Sequence, residues 1–232
     1  MPDTYEGTTL HTLLGEHSAS PVLTAYLSSL RQQSSSSISS TPEPDVKIYS
    51  DTLFHNHLSL GLSLSFSPLS PSPSLNLKTA SPSLLASLPL SGIDICNHTT
   101  PAPPSSAARA ASTSAKQKDP EYKPFPAYPI LLPTSASSPS SFALSPSTTG
   151  AQLVEALGEP ARKGGGGVGM GVWTEWVFSL HGEGGERKEG QKVAVMVEWA
   201  SSGLGAWEKG GESGWRVLSV YSVEEKGDGK KG

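Results

Sequence analysis

Two apolar rhythms take turns along the chain. In "LHTLLGE" (Leu10 to Glu16) and "LVEALGE" (Leu153 to Glu159), apolar side chains recur at i, i+3 and i+4, the stripe of a short helix that packs on one side. Gly15 and Gly158 follow as stop residues. Thr149 with Gln152 predicts a capping box, Pro160 blocks continuation, and Pro21 opens a further helix over Pro21 to Leu30.

After each helical stretch the alternation shortens to every second residue. The first set of such runs is "VKIYS" (Val46 to Ser50), "LSLGLSLSF" (Leu58 to Phe66) and "GIDIC" (Gly92 to Cys96). The second is "VWTEWVF" (Val172 to Phe178), "VAVMVEW" (Val193 to Trp199) and "WRVLSVY" (Trp215 to Tyr221). Apolar residues alternating with polar ones predict half-buried strands, and no helix separates the strands of a set, so parallel crossovers are excluded. The predicted class is α+β: an antiparallel sheet with short helices on one face, written as a helix-plus-three-strand pseudo-repeat.

Residues 33–43, 67–83, 99–119 and 133–146 follow neither rhythm. They consist largely of Ser, Pro, Ala and Thr, with too few large apolar side chains to offset the entropy of ordering them. They predict long disordered Ser/Pro inserts within a single α+β domain over 1–232, with a disordered tail at 224–232.

Composition narrows the function classes. The net charge of -4 over 232 residues, with ten basic against twelve acidic residues from Ala151 onward, leaves no basic face for nucleic acid. A lone Cys96 excludes an intramolecular disulfide, and the first residues carry neither a basic start nor an apolar core. No apolar run reaches the roughly 18 residues of a membrane span. An intracellular protein, cytoplasmic or nuclear and without a transmembrane segment, is expected; the Asn97-His98-Thr99 sequon is expected to be fortuitous.

Several spellings suggest chemistry. Gly164, Gly166 and Gly169 form G-x-G-x-x-G, but a dinucleotide fingerprint needs a strand before the glycines and a helix N-terminus after them. Here the order is reversed, and Lys163 stands before the glycines rather than after them as in a Walker loop. The segment is expected to be a mobile glycine bridge, with no cofactor. "VAVM" resembles a kinase lysine strand with Met196 in the lysine's place, and H-R-D and D-F-G are absent. His55 and His57 would share one side of a strand as half of a metal site, but no cluster completes it, so packing or surface roles are expected. Leu10, Leu13 and Leu14 spell an L-x-x-L-L motif whose leucines are expected in the core. Ser-Pro steps such as Ser67, Ser81 and Ser145 are candidate phosphate acceptors.

All five tryptophans, Trp173, Trp176, Trp199, Trp207 and Trp215, fall in the last 60 residues of the chain. Trp173 and Trp176 would face opposite sides of one strand. Core filling is expected for most, with an interaction hot spot for one. Glu175 and Glu198 sit on neighbouring predicted strands, either as solvated glutamates or as a carboxylate pair.

Three stretches carry a family resemblance: "HNHLSLGLSLSF" (His55 to Phe66), "TTGAQLVEALGEPARKGGG" (Thr148 to Gly166), and "GVWTEW" with "VMVEW" and "AWEKG". Together they resemble an uncharacterised fungal protein family with an "LGEP-x-RKGGG" helix end and a Trp-rich meander. More distantly, the element order is similar to the C-terminal part of the phagosome assembly factor family, with Asn56 to Gly61 matching its "N-Y-x-LG" strand apart from His57 in the tyrosine place. That resemblance implies a scaffold at autophagic membranes with protein partners and no catalytic residues. This chain departs from it by its length and its Ser-Pro inserts.

The expected function is therefore a non-enzymatic interaction or scaffold protein with a protein partner, related through that resemblance to trafficking or autophagy. The candidate partner surface is Arg162, Lys163, Trp173, Glu175, Trp176, Trp199 and Trp207, with no catalytic or metal residues. The alternatives are a small-molecule or lipid-binding module with a pocket between sheet and helices, and a hydrolase-like enzyme using Glu175 and Glu198, whose carboxylates would need to lie within about 10 Å.

Overall fold

The computed structural model describes residues 9–34, 43–69, 75–97, 121–134, 141–166, 171–179, 192–203 and 205–223. The six alternating runs become β1 (Asp45–Ile48), β3 (Leu62–Phe66), β4 (Leu90–Cys96), β8 (Gly171–Ser179), β9 (Lys192–Ser202) and β10 (Trp215–Val223), joined by β2 (Leu53–His57) and β7 (Arg162–Gly165). These eight strands form one sheet in the order β1-β2-β3-β4-β10-β9-β8-β7, and every neighbouring pair is antiparallel. Two meanders of four strands thus meet side by side at β4 and β10, with Ile93 opposite Val220 and Ile95 opposite Leu218.

The repeat contains one more strand than the alternation predicts. "LFHNH" is a strand of the first set, and "RKGG" is one of the second. The expected single strand Leu58 to Phe66 divides: Leu58–Leu60 is a tight helical turn, Gly61 has φ +62, and only Leu62–Phe66 is extended. A side chain at Gly61 would run into the backbone of Lys123 and Pro124, so both conformation and space require glycine there.

One face of the sheet is apolar. Leu62, Leu64, Phe66, Ile93 and Ile95 continue into Leu218, Val220, Val193, Val195, Val197, Trp176 and Trp199, all buried. β-Bulges at Arg216 in β10 and at Ser91 in β4 shift the register, which lets Trp215 and Leu90 turn to the buried side. A layer of short elements covers this face. Leu10–Leu13 is a 3-10 turn rather than an α-helix, and it buries Leu10 and Leu13, as expected of the L-x-x-L-L leucines. α1 (Pro21–Gln33), capped by Ser20, buries Leu23, Tyr26, Leu27 and Leu30. α3 (Gly150–Leu157) carries the capping box of Thr149 and Gln152 and buries Leu153 and Leu157.

Two stretches expected to be disordered contain regular structure. Residues 67–83 include the 3-10 turn Leu77–Thr79, whose Leu77 is buried, and the start of α2 (Pro82–Ala86). Residues 133–146 include β6 (Ser141–Leu144), which pairs with β5 (Ile130–Pro133) and buries Leu144 beside Ile130 and Leu132. A few well-placed apolar residues anchor these segments despite their polar composition. The stretch 99–119 and the tail 224–232 lie outside the described residues. Asn97 of the sequon is buried and donates to the carbonyls of Pro146 and Trp215.

Candidate functional site

The segment expected to be a mobile glycine bridge is in part a strand. β7 pairs with β8 through Arg162 opposite Glu175, Lys163 opposite Thr174, Gly164 opposite Trp173 and Gly165 opposite Val172. Its glycines admit indole rings: a side chain at Gly164 would lie 2.5 Å from Cζ2 of Trp173, and one at Gly166 would lie 2.9 Å from Nε1 of Trp207. The next element after β7 is the strand β8, so among the described residues no helix N-terminus faces Gly164 and Gly166, while Gly169 lies outside them.

β7 is also the edge of the sheet, and no described strand pairs with its outer side. Beside it, on the face that carries α3, lies a mostly apolar groove of about 300 Å³. Val172, Thr174 and Trp199 line it from the sheet, Ala151 and Val154 from α3, and Pro160, Lys163 and Trp207 from the connections. Val154 is 38% exposed and Trp207 42% exposed, so two large apolar side chains meet solvent around this groove. Lys163 pairs with Glu159 at 3.4 Å, an exposed contact worth little to stability.

The expected partner surface divides on burial. Trp176 and Trp199 are buried. The Trp176 indole donates to the Gly158 carbonyl at 2.8 Å and that of Trp199 to Thr174 Oγ1 at 3.0 Å. Both are therefore core residues with satisfied N–H groups, although the Trp199 ring still contributes to the groove. Glu175 is 2% exposed and is not a surface glutamate. Arg162 donates to it through Nε and Nη2, each at 2.7 Å, and the Tyr221 hydroxyl donates to Oε2. Burial alone would raise the Glu175 carboxyl, but these hydrogen bonds and the guanidinium charge together hold it below the usual range. Burial and the Glu175 contact push the Tyr221 phenol up to about 12. Arg162 and Lys163 are exposed, Trp207 is exposed and Trp173 is half-buried.

Glu175 and Glu198 project from the same face of the sheet, on paired strands and offset along them. Each is bound to its own arginine: Glu198 Oε1 accepts from Arg216 at 3.3 Å. Two carboxylates held by separate guanidinium groups are not arranged as a free acid and base sharing a substrate. His55 and His57 lie toward the apolar side, with the His55 ring 5.0 Å from Phe66. Burial, with Arg31 and His55 nearby, lowers the His57 pKa to about 4. Among the described residues no group of three or more His, Cys, Asp or Glu could hold a metal ion.

The opposite face of the sheet carries a feature that sequence reading missed. Asp45, Asn56, Ser63, Asp94, Ser219, Met196, Glu175 and Arg162 lie in register, one from each strand. The signal was present as the central polar residue of "HNH", "LSL" (Leu62–Leu64), "GIDIC" and "VLSVY", but register between distant runs is needed to line them up.

Among the described residues, no helix is long and apolar enough to cross a membrane. No family model, no curated protein and no solved structure matches the chain.

Proposed function

We propose that the protein acts by binding, as a non-enzymatic interaction module that takes an extended segment of a partner protein along β7. The observation that carries this reading is the open edge of β7 beside an apolar groove. An added strand would gain main-chain hydrogen bonds at the edge, and alternate side chains would enter the groove. The Gly166 N–H bonds inward to the Gly171 carbonyl. By antiparallel alternation the Lys163 and Gly165 N–H groups point outward, toward an incoming strand. Trp207 and Val154 supply the apolar contact that fixes which residue of the partner is anchored.

A displayed library of linear peptides, panned against the purified chain, tests this. Wild type should enrich segments with apolar residues at alternate positions. Lys163→Pro, which removes one outward donor, should abolish the enrichment. Trp207→Ala should weaken a selected peptide by about tenfold, the equivalent of about 1.4 kcal/mol, with circular dichroism unchanged. Enrichment that survives both substitutions, or no enrichment by wild type, overturns the reading. The trafficking setting suggested by the family resemblance is a further proposal, tested by whether proximity labelling in cells recovers trafficking proteins that Lys163→Pro loses.

A further inference from the structure

A second concavity, of about 880 Å³, lies over the polar row on the face of the sheet away from the helices. Asn56, Ser63, Asp94 and Ser219 line it along the row, while Tyr49, Phe54 and Tyr122 supply aromatic surface. The Tyr49 and Phe54 rings meet edge to face at 5.6 Å. Its volume falls in the range of ligand sites, about 300 to 1,000 Å³.

The hydrogen bonds determine what this cleft offers an occupant. Ser63 Oγ donates to Asn56 Oδ1 at 2.8 Å, and the Tyr122 hydroxyl donates to the same oxygen at 2.9 Å. Ser219 lies opposite Asp94 across the β4–β10 pair, where its hydroxyl favours the ionised carboxylate. These hydroxyl hydrogens are thus turned to neighbours within the cleft, leaving hydroxyl lone pairs and the carboxylate as acceptors. Among the described residues no ion pair holds Asp94, whereas Lys47 is tied to Asp45 at 3.7 Å and Arg216 to Glu198 at 3.3 Å. Burial pushes the Asp94 carboxyl up, against the Ser219 bond, as expected for a charge without enough compensation. The other charged or titratable groups around the cleft are Cys96 on β4, Glu198 on β9, Lys47 on β1, Tyr49, Asp51 and Tyr122. Cys96 is held as the thiol, its pKa pushed up to about 11 by burial and by Asp94, with Glu198 adding to the shift and Arg216 opposing it, so thiolate chemistry is disfavoured.

We propose that this cleft binds a small organic cation, a primary ammonium or guanidinium group, seated on Asp94 between the aromatic walls. The ligand supplies both the missing positive charge and the missing donors, and the rings of Tyr49, Phe54 and Tyr122 favour a cation over a neutral or anionic ligand.

Titration of the full chain followed by NMR tests this, with putrescine and agmatine as probes, 1,4-butanediol as the neutral control and succinate as the anion. Acetyl-arginine amide and acetyl-lysine amide distinguish a free amine from a presented side chain. The cations should give saturable shifts at Ser63, Asp94 and Ser219, and saturation should lower the titration midpoint of the Asp94 carboxyl. Asp94→Asn keeps an acceptor for Ser219 and should lose at least about tenfold in affinity. Tyr49→Ala, at an exposed wall position, should lose several-fold and serves as the readout if Asp94→Asn does not fold. Equal binding of butanediol, unchanged affinity in both variants, or no saturable shift with any cation overturns the proposal.

Discussion

Strands β1–β4 and β7–β10 follow the same meander, yet the first is packed mainly with leucine and isoleucine and the second with valine and tryptophan. Leucine packing in the first half is non-directional: Leu53, Leu62, Leu64, Ile93 and Ile95 bury area in the common core without specifying an angle. In the second half each buried indole also has a hydrogen-bond partner. Trp176 reaches the end of α3 at Gly158, Trp199 reaches Thr174, and Trp215 reaches the carbonyl of Ser145 after β6. Their cover is thereby fixed at defined points. The apolar groove lies in the second half, where the Trp176 bond ties the end of α3 to β8 and Trp207 borders the gap between them. On the other face the relation reverses, because Arg162 and Arg216 neutralise Glu175 and Glu198 of the second half, while Asp94 of the first half has no such partner among the described residues.

The largest effect that can break this comparison comes from Trp215. Trp215→Ala should cost about 3–5 kcal/mol, read by urea unfolding. Trp215→Phe, which keeps most of the volume and loses only the bond to Ser145, should cost about 1–3 kcal/mol. A phenylalanine variant as stable as wild type would mean that the indole bonds do not distinguish the halves.

Acid separates the halves next. His57 of the first half has its pKa lowered to about 4, from about 6.5 when unfolded. Its neutral form is favoured by folding, so the associated stability is present above pH about 6.5 and is lost as pH falls toward 4, by at most about 3 kcal/mol. Glu175 of the second half has a lowered pKa. Its contribution is present above the unfolded value of about 4.3 and is lost only as pH falls further, through the folded value. Unfolding stability measured from pH 7 to 4 should therefore decline in wild type, and His57→Leu should flatten that decline. A slope unchanged by this substitution would show that the first half is not the acid-sensitive one.

The smallest effect should be equal on both sides. Ser20→Ala removes the cap of α1 and Thr149→Ala that of α3, each costing about 1 kcal/mol by thermal unfolding. Unequal losses would show that one helix depends on its cap more than on its packing.

Much of this fold was legible because periodicity is local. The six predicted runs, the capping box at Thr149 and the stop at Gly158 all depend on residues a few positions apart. The four-residue strand "RKGG" was not legible, since two glycines carry no apolar alternation and only pairing with β8 makes it extended. β6 was hidden in serine-rich sequence for the same reason. Of the proposed contact residues, Lys163 and Trp207 border the groove, whereas Glu175 and Trp176 lie inside. A glutamate between two tryptophans has the same spelling whether it meets water or a guanidinium across the strand.

β4 and β10 run antiparallel along the seam between the halves. Two meanders joined by their last strands, running in opposite directions, have the topology of a symmetric dimer of a four-stranded unit. Written on one chain, such an arrangement does not have to keep its two halves identical, and here one half holds the buried indoles and the other Asp94, a carboxylate without an ion pair among the described residues.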